Sequence, residues 1–397
     1  MHKKTWVAII AGGQGTRLFP ISNPERPKQF CKLNKSDTFI QSVIEHFLDI
    51  GVDATRIAIL TTNKDQTQLA KEQAISRGVL SQNIFEVSAR YNYSGAMVKA
   101  AEIIAKIEGT DDVVIINTPS DQYVETGDGK FKKTILSAVK AAEKDEAVIV
   151  GVKVNDIIEA MGCGHVLYKE SKTDCQDVTA FEEKPRRERA DELMRRGNSV
   201  CNTGINVWKA SRLLKAVQCD DIEDGLATDA LMQKLGKLKV AIGTFVWHDC
   251  GTLKSLYAVS AKTPKDKNAV LGGGAFERLD TKRCLLYAEE GMELRVAGAR
   301  DEAIIFTTIK DRPILVISKL DESQRIKGLA ENFDEHATYL TDDFSFKARN
   351  NIVLRSNISE DLIVGFVAVD RYAVYVHKTA DGTLVAAVSQ QLQPPSL

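Results

Sequence analysis

The chain has 397 residues, 44% of them hydrophobic, and a formal net charge of −1. That is enough apolar material for a full core and about two domains, and too little net charge for a chain-wide attraction to nucleic acid or an anionic membrane. The seven cysteines (Cys31, Cys163, Cys175, Cys201, Cys219, Cys250, Cys284) include no Cys-x-x-Cys pair and the six histidines show no ligand spacing, so neither a disulfide framework nor a zinc site is expected. The start Met1-His2-Lys3-Lys4 leads into an apolar run too short for a signal core or a membrane span, and a reduced, soluble, cytoplasmic protein is expected.

Trp6-Val7-Ala8-Ile9-Ile10 reads as a buried parallel strand that ends abruptly in Ala11-Gly12-Gly13-Gln14-Gly15-Thr16-Arg17-Leu18. Glycines permit positive φ and close approach of the backbone, so successive N–H groups can converge on phosphate oxygens, and Arg17 adds a planar charged fork that matches them. Leu18 stands where a dinucleotide fingerprint needs its third glycine, and the Gly-Lys-Ser/Thr of a Walker loop is absent. Taken alone, the three glycines would also suit a plain strand-to-helix turn, with Arg17 and Lys28 as solvated charges.

From Asp37 the period becomes helical, with Asp37 or Thr38 as cap and Phe39, Ile40, Val43, Ile44, Phe47 and Leu48 on one stripe. Ile57 to Thr62 reads as the second strand, followed by a polar helix to about Arg77, then Ile84 to Val87 and a helix from Ser94 to Ile107. Val113-Val114-Ile115-Ile116 and Ala147 to Val152 are further buried strands. This alternation implies a mostly parallel sheet covered on both faces. A polar turn such as Asn117-Thr118-Pro119-Ser120-Asp121-Gln122 at the carboxyl end of a buried strand is where open α/β sheets place ligands.

Beyond the glycine loop come Phe19-Pro20-Ile21-Ser22 and Arg26-Pro27-Lys28-Gln29-Phe30, and later Gly162-Cys163-Gly164-His165-Val166, Phe181-Glu182-Glu183-Lys184-Pro185, Cys201-Asn202-Thr203-Gly204 and Trp247-His248-Asp249-Cys250-Gly251. With these runs the chain resembles the sugar-1-phosphate nucleotidylyltransferases, in particular the bacterial mannose-1-phosphate guanylyltransferases. The resemblance implies an α/β fold: a Rossmann-like nucleotidyltransferase domain over 1–262 and a smaller β-rich domain over 275–397. It also implies transfer of a nucleoside monophosphate from a nucleoside triphosphate, GTP, to a sugar 1-phosphate, mannose 1-phosphate, with release of pyrophosphate.

Carried over residue by residue, the resemblance makes Arg17 and Lys28 catalytic. It gives the nucleotide Ala11, Gly12, Gly13, Gly15, Thr16, Asn92, Pro119 and Ser120; the sugar phosphate Gly164, Glu183, Lys184 and Asn202; and Mg2+ the carboxylates Asp121 and Asp249. Lys184, set between a carboxylate and a proline-fixed turn, offers one oriented charge to a phosphomonoester. His248 beside Asp249 is assigned a structural role, because a sugar phosphate oxygen is already anionic and needs no general base. Departures occur at 89–97, where only Asn92 and Ala96 of the expected stretch remain, at Gln122 in place of histidine, and at Cys163, His165 and Cys201 in place of aromatics. Base and sugar therefore stay open. Tyr91 and Tyr93 are read either as base contacts or as packing at a helix entrance, and the three replaced aromatics either as an altered pocket or as smaller packing residues. A nucleotide-sugar-binding regulatory subunit is the reading from another class, disfavoured because both carboxylates are present.

Arg186 to Arg196 reads as a solvated helix with internal ion pairs, and residues 261–274, with Gly272-Gly273-Gly274, as a linker or exposed hairpin. After it, strand-like runs at 284–288, 294–298 and 303–306 are read as recurring at 352–356, 362–365 and 373–376, an internal duplication. Ser323-Gln324-Arg325-Ile326-Lys327 is similar to the helix after the first β segment in the mannose enzymes. The sequence ends where long relatives continue into an isomerase domain, so no isomerase activity is expected. Exposed strand edges make a homo-oligomer through the C-terminal domain possible.

Overall fold

The computed structural model describes residues 5–32, 37–217, 222, 225–309, 312–323, 326–327, 346–348, 351–355, 365–369, 372–378 and 383–390. By packing, the chain forms two units, one of Met1–Gly12 with Phe39–Asp249 and the other of Gly13–Thr38 with Cys250–Leu397. The division expected at 262 to 275 differs from this in two places: the segment 13–38 groups with the C-terminal part, and that part already begins at 250.

The first unit contains β1 (Thr5–Ile10), β2 (Ile57–Thr61), β3 (Ile84–Glu86), β4 (Val114–Pro119), β5 (Tyr123–Val124), β6 (Ala147–Val152), β7 (His165–Lys169), β8 (Cys175–Glu182), β9 (Ser199–Lys209), β10 (Leu238–Gly243) and β11 (Trp247–His248). Its helices are α1 (Phe39–Asp49), α2 (Lys64–Ala74), α3 (Tyr93–Glu108), α4 (Lys130–Ala142), α5 (Ile157–Gly162), α6 (Arg187–Arg195), α7 (Ala210–Ala216) and α8 (Thr228–Leu235). Nine strands form one sheet in the order β3-β2-β1-β4-β9-β6-β10-β8-β7, with β7 also pairing β9. The run from β3 to β4 is parallel, as is β6 with β10. β9 is antiparallel to both β4 and β6, so the sheet is mixed. An apolar run reports burial and not direction; here the β7–β8 hairpin reverses the chain before it re-enters the sheet as β9.

The core of this unit joins Trp6, Met97, Ile104, Ile115, Trp208 and Leu231, with Tyr91 and Tyr93 packed against it, which favours the packing reading of those two tyrosines. α3 starts where the Asn92 side chain accepts from the Gly95 N–H at 3.1 Å and ends at Gly109 in the left-handed region. In α6, Arg195 pairs with Asp191 and Arg196 with Glu192, as a solvated helix implies, while Arg189 also reaches back to Glu182.

The second unit opens its C-terminal part with α9 (Leu253–Val259), started by a reciprocal Thr252–Ser255 capping box. Among the described residues eleven strands follow: β12 (Ala269–Gly272), β13 (Ala275–Leu279), β14 (Leu285–Ala288), β15 (Met292–Ala297), β16 (Glu302–Ile309), β17 (Arg312–Lys319), β18 (Phe346–Ala348), β19 (Asn351–Arg355), β20 (Gly365–Val369), β21 (Tyr372–Lys378) and β22 (Leu384–Gln390). They make a six-stranded sheet, β12-β14-β16-β17-β19-β18, and a five-stranded sheet, β13-β15-β22-β21-β20. From β12 to β16 successive strands alternate between the two sheets in parallel register, each turn of chain adding one strand to each. Cys284, Leu286, Leu294, Ile304, Phe306 and Leu315 form the core of this unit.

Two expectations are corrected here. The stretch 261–274 is neither a linker nor an exposed hairpin: it holds β12, which is largely buried and pairs in parallel with β14, and Gly272, at φ +82, lies where a Cβ would come within 1.9 Å of the Ala288 carbonyl oxygen. That glycine serves close approach of the neighbouring strand rather than chain flexibility. The duplication does not repeat as a structure either: the runs at 285–288 and 303–306 share the six-stranded sheet, whereas 352–355 lies in it and 373–376 in the other. Consecutive strands stay in one sheet across the β16–β17 and β20–β21 hairpins, which breaks the alternation. Residues 362–364, Gln324, Arg325 and Cys219 fall outside the described residues.

Candidate active site

In the first unit the site grows from the end of β4. Pro119 closes that strand, Ser120 is buried behind it, and Asp121 follows. β5 and β11 then form a two-stranded antiparallel ribbon, with Tyr123 across from His248 and Val124 across from Trp247. Extending that register by one residue sets Asp249 opposite Gln122, beside Asp121, so two carboxylates from distant parts of the sequence share one end of the ribbon. Gln122 anchors the arrangement: its Oε1 accepts from Trp247 Nε1 at 3.0 Å and its Nε2 donates to the Thr203 carbonyl.

That second bond leads directly to β9. Gly204, at φ +79, sits where a Cβ would approach Pro119 Cγ within 2.8 Å, so the Asn202-Thr203-Gly204 turn lies against the Pro119-Ser120-Asp121 turn. Asn202 donates its backbone N–H to the Gly164 carbonyl at 2.7 Å, and its side-chain oxygen accepts from the Gly204 N–H at 2.8 Å. A Cβ on Gly164 would meet Phe181 at 2.5 Å and Glu183 Oε2 at 2.8 Å. Lys184 Nζ lies 3.5 Å from Glu183 Oε1, and Lys184 itself is exposed and held at φ +42. Gly164, Glu183, Lys184 and Asn202, dispersed in sequence, thus form one group, with Pro119 and Ser120 joined to it through Gly204.

Two side chains near this group are committed to structure. Tyr93 donates its hydroxyl to the Gly204 carbonyl at 2.8 Å, and burial, reinforced by the charge of Asp121, holds the phenol protonated far above its ordinary range. His248 Nδ1 meets Glu159 Oε1 at 2.6 Å, and that hydrogen bond raises the imidazole above its usual value. The pair ties α5 to the ribbon. Asn92 donates to the Leu226 carbonyl at 2.6 Å besides capping α3, so both ends of its carboxamide are engaged.

The glycine loop divides between the units. Ala11 and Gly12 belong to the first, where Ala11 N–H donates to the Leu60 carbonyl at 2.7 Å and a Cβ on Gly12 would come within 2.5 Å of Thr62 Cγ2. Gly13, Gly15, Thr16, Arg17 and Lys28 belong to the second. Gly15 adopts φ +68 and leads into a short 3-10 turn, Thr16–Leu18, on which Arg17 is exposed. A Cβ at Gly15 would lie 2.4 Å from Lys28 Cβ, so glycine is required both by conformation and by the lysine that packs there. Lys28 is only 3% exposed and opens the turn Lys28–Phe30 after Pro27.

Within the second unit this loop rests on an ion pair that its sequence did not reveal. Arg26 pairs with Glu289 and donates to Thr307 Oγ1 at 3.1 Å; Glu289 also accepts from the Thr308 N–H at 2.7 Å. Burial opposes both charges, but Tyr287, Cys31 and Glu289 around Arg26 hold it above its ordinary range, and Arg26 with the Thr308 hydrogen bonds holds Glu289 below its own. No local pattern marks Glu289 as the partner of Arg26.

The cysteine expectation is corrected. Cys163 and Cys201 are joined as a disulfide with Cα atoms 5.9 Å apart, beside His165, which pairs with Cys201 in the β7–β9 register. Their separation of 38 residues carries no pattern; the one available sign was that both replace aromatics in neighbouring motifs.

Comparison with known proteins gives a consistent picture. The nucleotidyl transferase family model matches residues 7–266. Alginate biosynthesis protein AlgA of Pseudomonas aeruginosa is 26% identical over 363 residues, covering 82% of this chain and 71% of that protein. A mannose-1-phosphate guanylyltransferase of Sinorhizobium fredii is 28% identical over 378 residues, covering 86% and 70%. Among solved structures, a mannose-1-phosphate geranyltransferase from Thermus thermophilus shares the fold with a TM-score of 0.68 and 22% identity, covering 83% of this chain and 99% of that one. The chain belongs to the nucleotidyl transferase family.

Proposed function

We propose that the protein transfers a guanosine monophosphate unit from GTP to mannose 1-phosphate, giving GDP-mannose and pyrophosphate. The observation that carries this reading is the ribbon register that brings Asp121 and Asp249 to one end, beside the Gly164, Glu183, Lys184 and Asn202 group. An oxygen of the sugar phosphate attacks the α-phosphorus, the bond to the bridging oxygen breaks, and pyrophosphate leaves in line. Two anions must meet, so positioning and charge neutralisation are the main tasks.

A pair of carboxylates would suit magnesium, which takes one or two carboxylates and completes its shell with phosphates and water. Asp121 and Asp249 would hold it, and when bound it supplies charge neutralisation at the phosphate oxygens. Lys184, exposed and oriented by Glu183, receives the incoming monoester, and Asn202 and Glu183 meet sugar hydroxyls. By the family resemblance, Arg17 would act on the leaving pyrophosphate and Lys28 on the α-phosphate, and the Gly12 to Thr16 backbone would donate to the triphosphate. A cytoplasmic location and self-association through the strand-rich unit belong to the same proposal; among the described residues no helix is long and apolar enough to cross a membrane.

The base is where a second reading has support. Asn92, expected beside it, has both carboxamide ends engaged, so another purine or pyrimidine triphosphate would keep the mechanism and change the product. Pyrophosphate release, measured with magnesium for four nucleoside triphosphates against a panel of sugar 1-phosphates, separates these. Turnover with GTP and mannose 1-phosphate alone supports the proposal, turnover with another pair replaces the substrates, and silence with bound nucleotide sugar supports a regulatory role.

A further inference from the structure

Cys163, His165 and Cys201 present two sulfurs and one imidazole nitrogen within 4.8 Å of one another, and all three side chains are buried. They take no part in the chemistry proposed above. Cys201 Sγ lies 3.7 Å from His165 Nε2, and the Ala160 carbonyl oxygen lies 2.9 Å from the same nitrogen and 3.6 Å from Cys163 Sγ. Two soft sulfurs, one nitrogen and one carbonyl oxygen are therefore gathered in one buried place, the sulfurs joined as a disulfide. The other ring nitrogen, Nδ1, is 3.3 Å from Ser199 Oγ, the outer hydrogen bond that fixes the tautomer and orientation of a ligating histidine.

We propose that, with its sulfurs reduced, this cluster is a zinc-class metal site held by Cys163, His165 and Cys201, with the Ala160 carbonyl at the fourth position. Two thiolates, one imidazole and one oxygen are a donor set that selects zinc over magnesium or calcium. Charge agrees with the burial: a divalent cation with two thiolates and a neutral imidazole is neutral overall, so enclosing it leaves no net charge away from water. Glu182, across from His165 in the β7–β8 register, is paired with Arg189, which leaves the oxygen position to Ala160. Entry to the metal-binding state is balanced. A phosphine and one water convert the disulfide to two thiols and the phosphine oxide, and metal binding then expels the two thiol protons to solvent.

The experiment uses the full chain, produced in cobalt-supplemented medium and purified under a phosphine without chelator, so that metal is present while the chain folds. The expected result is one bound cobalt per chain with a thiolate-to-cobalt charge-transfer band that zinc bleaches. C175A, which alters a buried cysteine outside the cluster, keeps the band, C201A loses it, and S199A keeps it with affinity lowered about 10- to 100-fold. Folded wild-type protein with Cys163 and Cys201 as free thiols and no cobalt overturns the proposal, as does a Cys163–Cys201 bond that persists under the reductant. A band unchanged in C201A overturns it as well.

Discussion

The carboxylate ribbon and the glycine loop reach their geometry by different routes. Gln122 and Trp247, 125 residues apart, meet only because β5 and β11 pair, and Asp121 and Asp249 flank the same end of that ribbon. Gly15 and Lys28, by contrast, meet within one short segment, where a left-handed glycine leaves room for the lysine stem. The ribbon depends on long-range register, which a single local substitution leaves intact. The loop depends on local conformation, which one methyl group disturbs. Chemistry and stability should accordingly respond in opposite ways in the two places.

The largest expected effect tests the ribbon. Asp249→Asn removes one charge and keeps the backbone ladder, so pyrophosphate release should fall at least about 100-fold, as for loss of a transition-state stabilising group, with the melting temperature nearly unchanged. Equal loss of activity and stability would mean that Asp249 is structural.

Arg26→Ala tests what supports the loop. Glu289 would keep its burial and lose its counter-ion, which costs roughly 2–3 kcal/mol, less than for a fully enclosed pair because both side chains retain some solvent contact. In the wild type the depressed Glu289 value means that its contribution is present above the ordinary carboxylate range and is lost as pH falls through the folded value. In the variant burial still raises Glu289 and only the Thr307 and Thr308 hydrogen bonds remain to lower it, so the stability lost on acidification should shrink relative to wild type. Denaturant titrations at pH 4 and pH 7 read the difference directly.

A smaller change separates two glycines. Gly15→Ala places a methyl against Lys28 at positive φ, for about 1–2 kcal/mol of strain and weaker nucleoside triphosphate binding by calorimetry. Gly13→Ala, where no atom lies within 4 Å of the added carbon, should leave the melting temperature unchanged. Similar destabilisation in both would refute the Gly15–Lys28 contact as the reason for glycine.

The smallest effect concerns His248→Asn. Its pairing with Glu159 raises the folded imidazole value, so its stabilisation is complete below the unfolded value near 6.5 and fades as pH rises through the folded one. The variant should lose under about 1 kcal/mol at pH 6, with kcat within a few-fold. A loss of about 100-fold or more in kcat, growing at low pH, would instead identify a general base.

Much of the molecule was legible from residues alone because the information was local. The strand before Ala11, the stripe of α1, the carboxyl end of β4 and the Gly15-to-Lys28 segment each carry their signal within a few turns of chain. Short-range sterics and hydrophobic period decide such elements. What tertiary structure alone decided was which distant residues became neighbours. The antiparallel course of β9, the meeting of Cys163 with Cys201, the Arg26–Glu289 pair and the alternation of strands between two sheets all depend on strand order and register. An apolar run has the same composition whichever neighbour it pairs with and in whichever direction, so those choices fall to the packing of the whole chain.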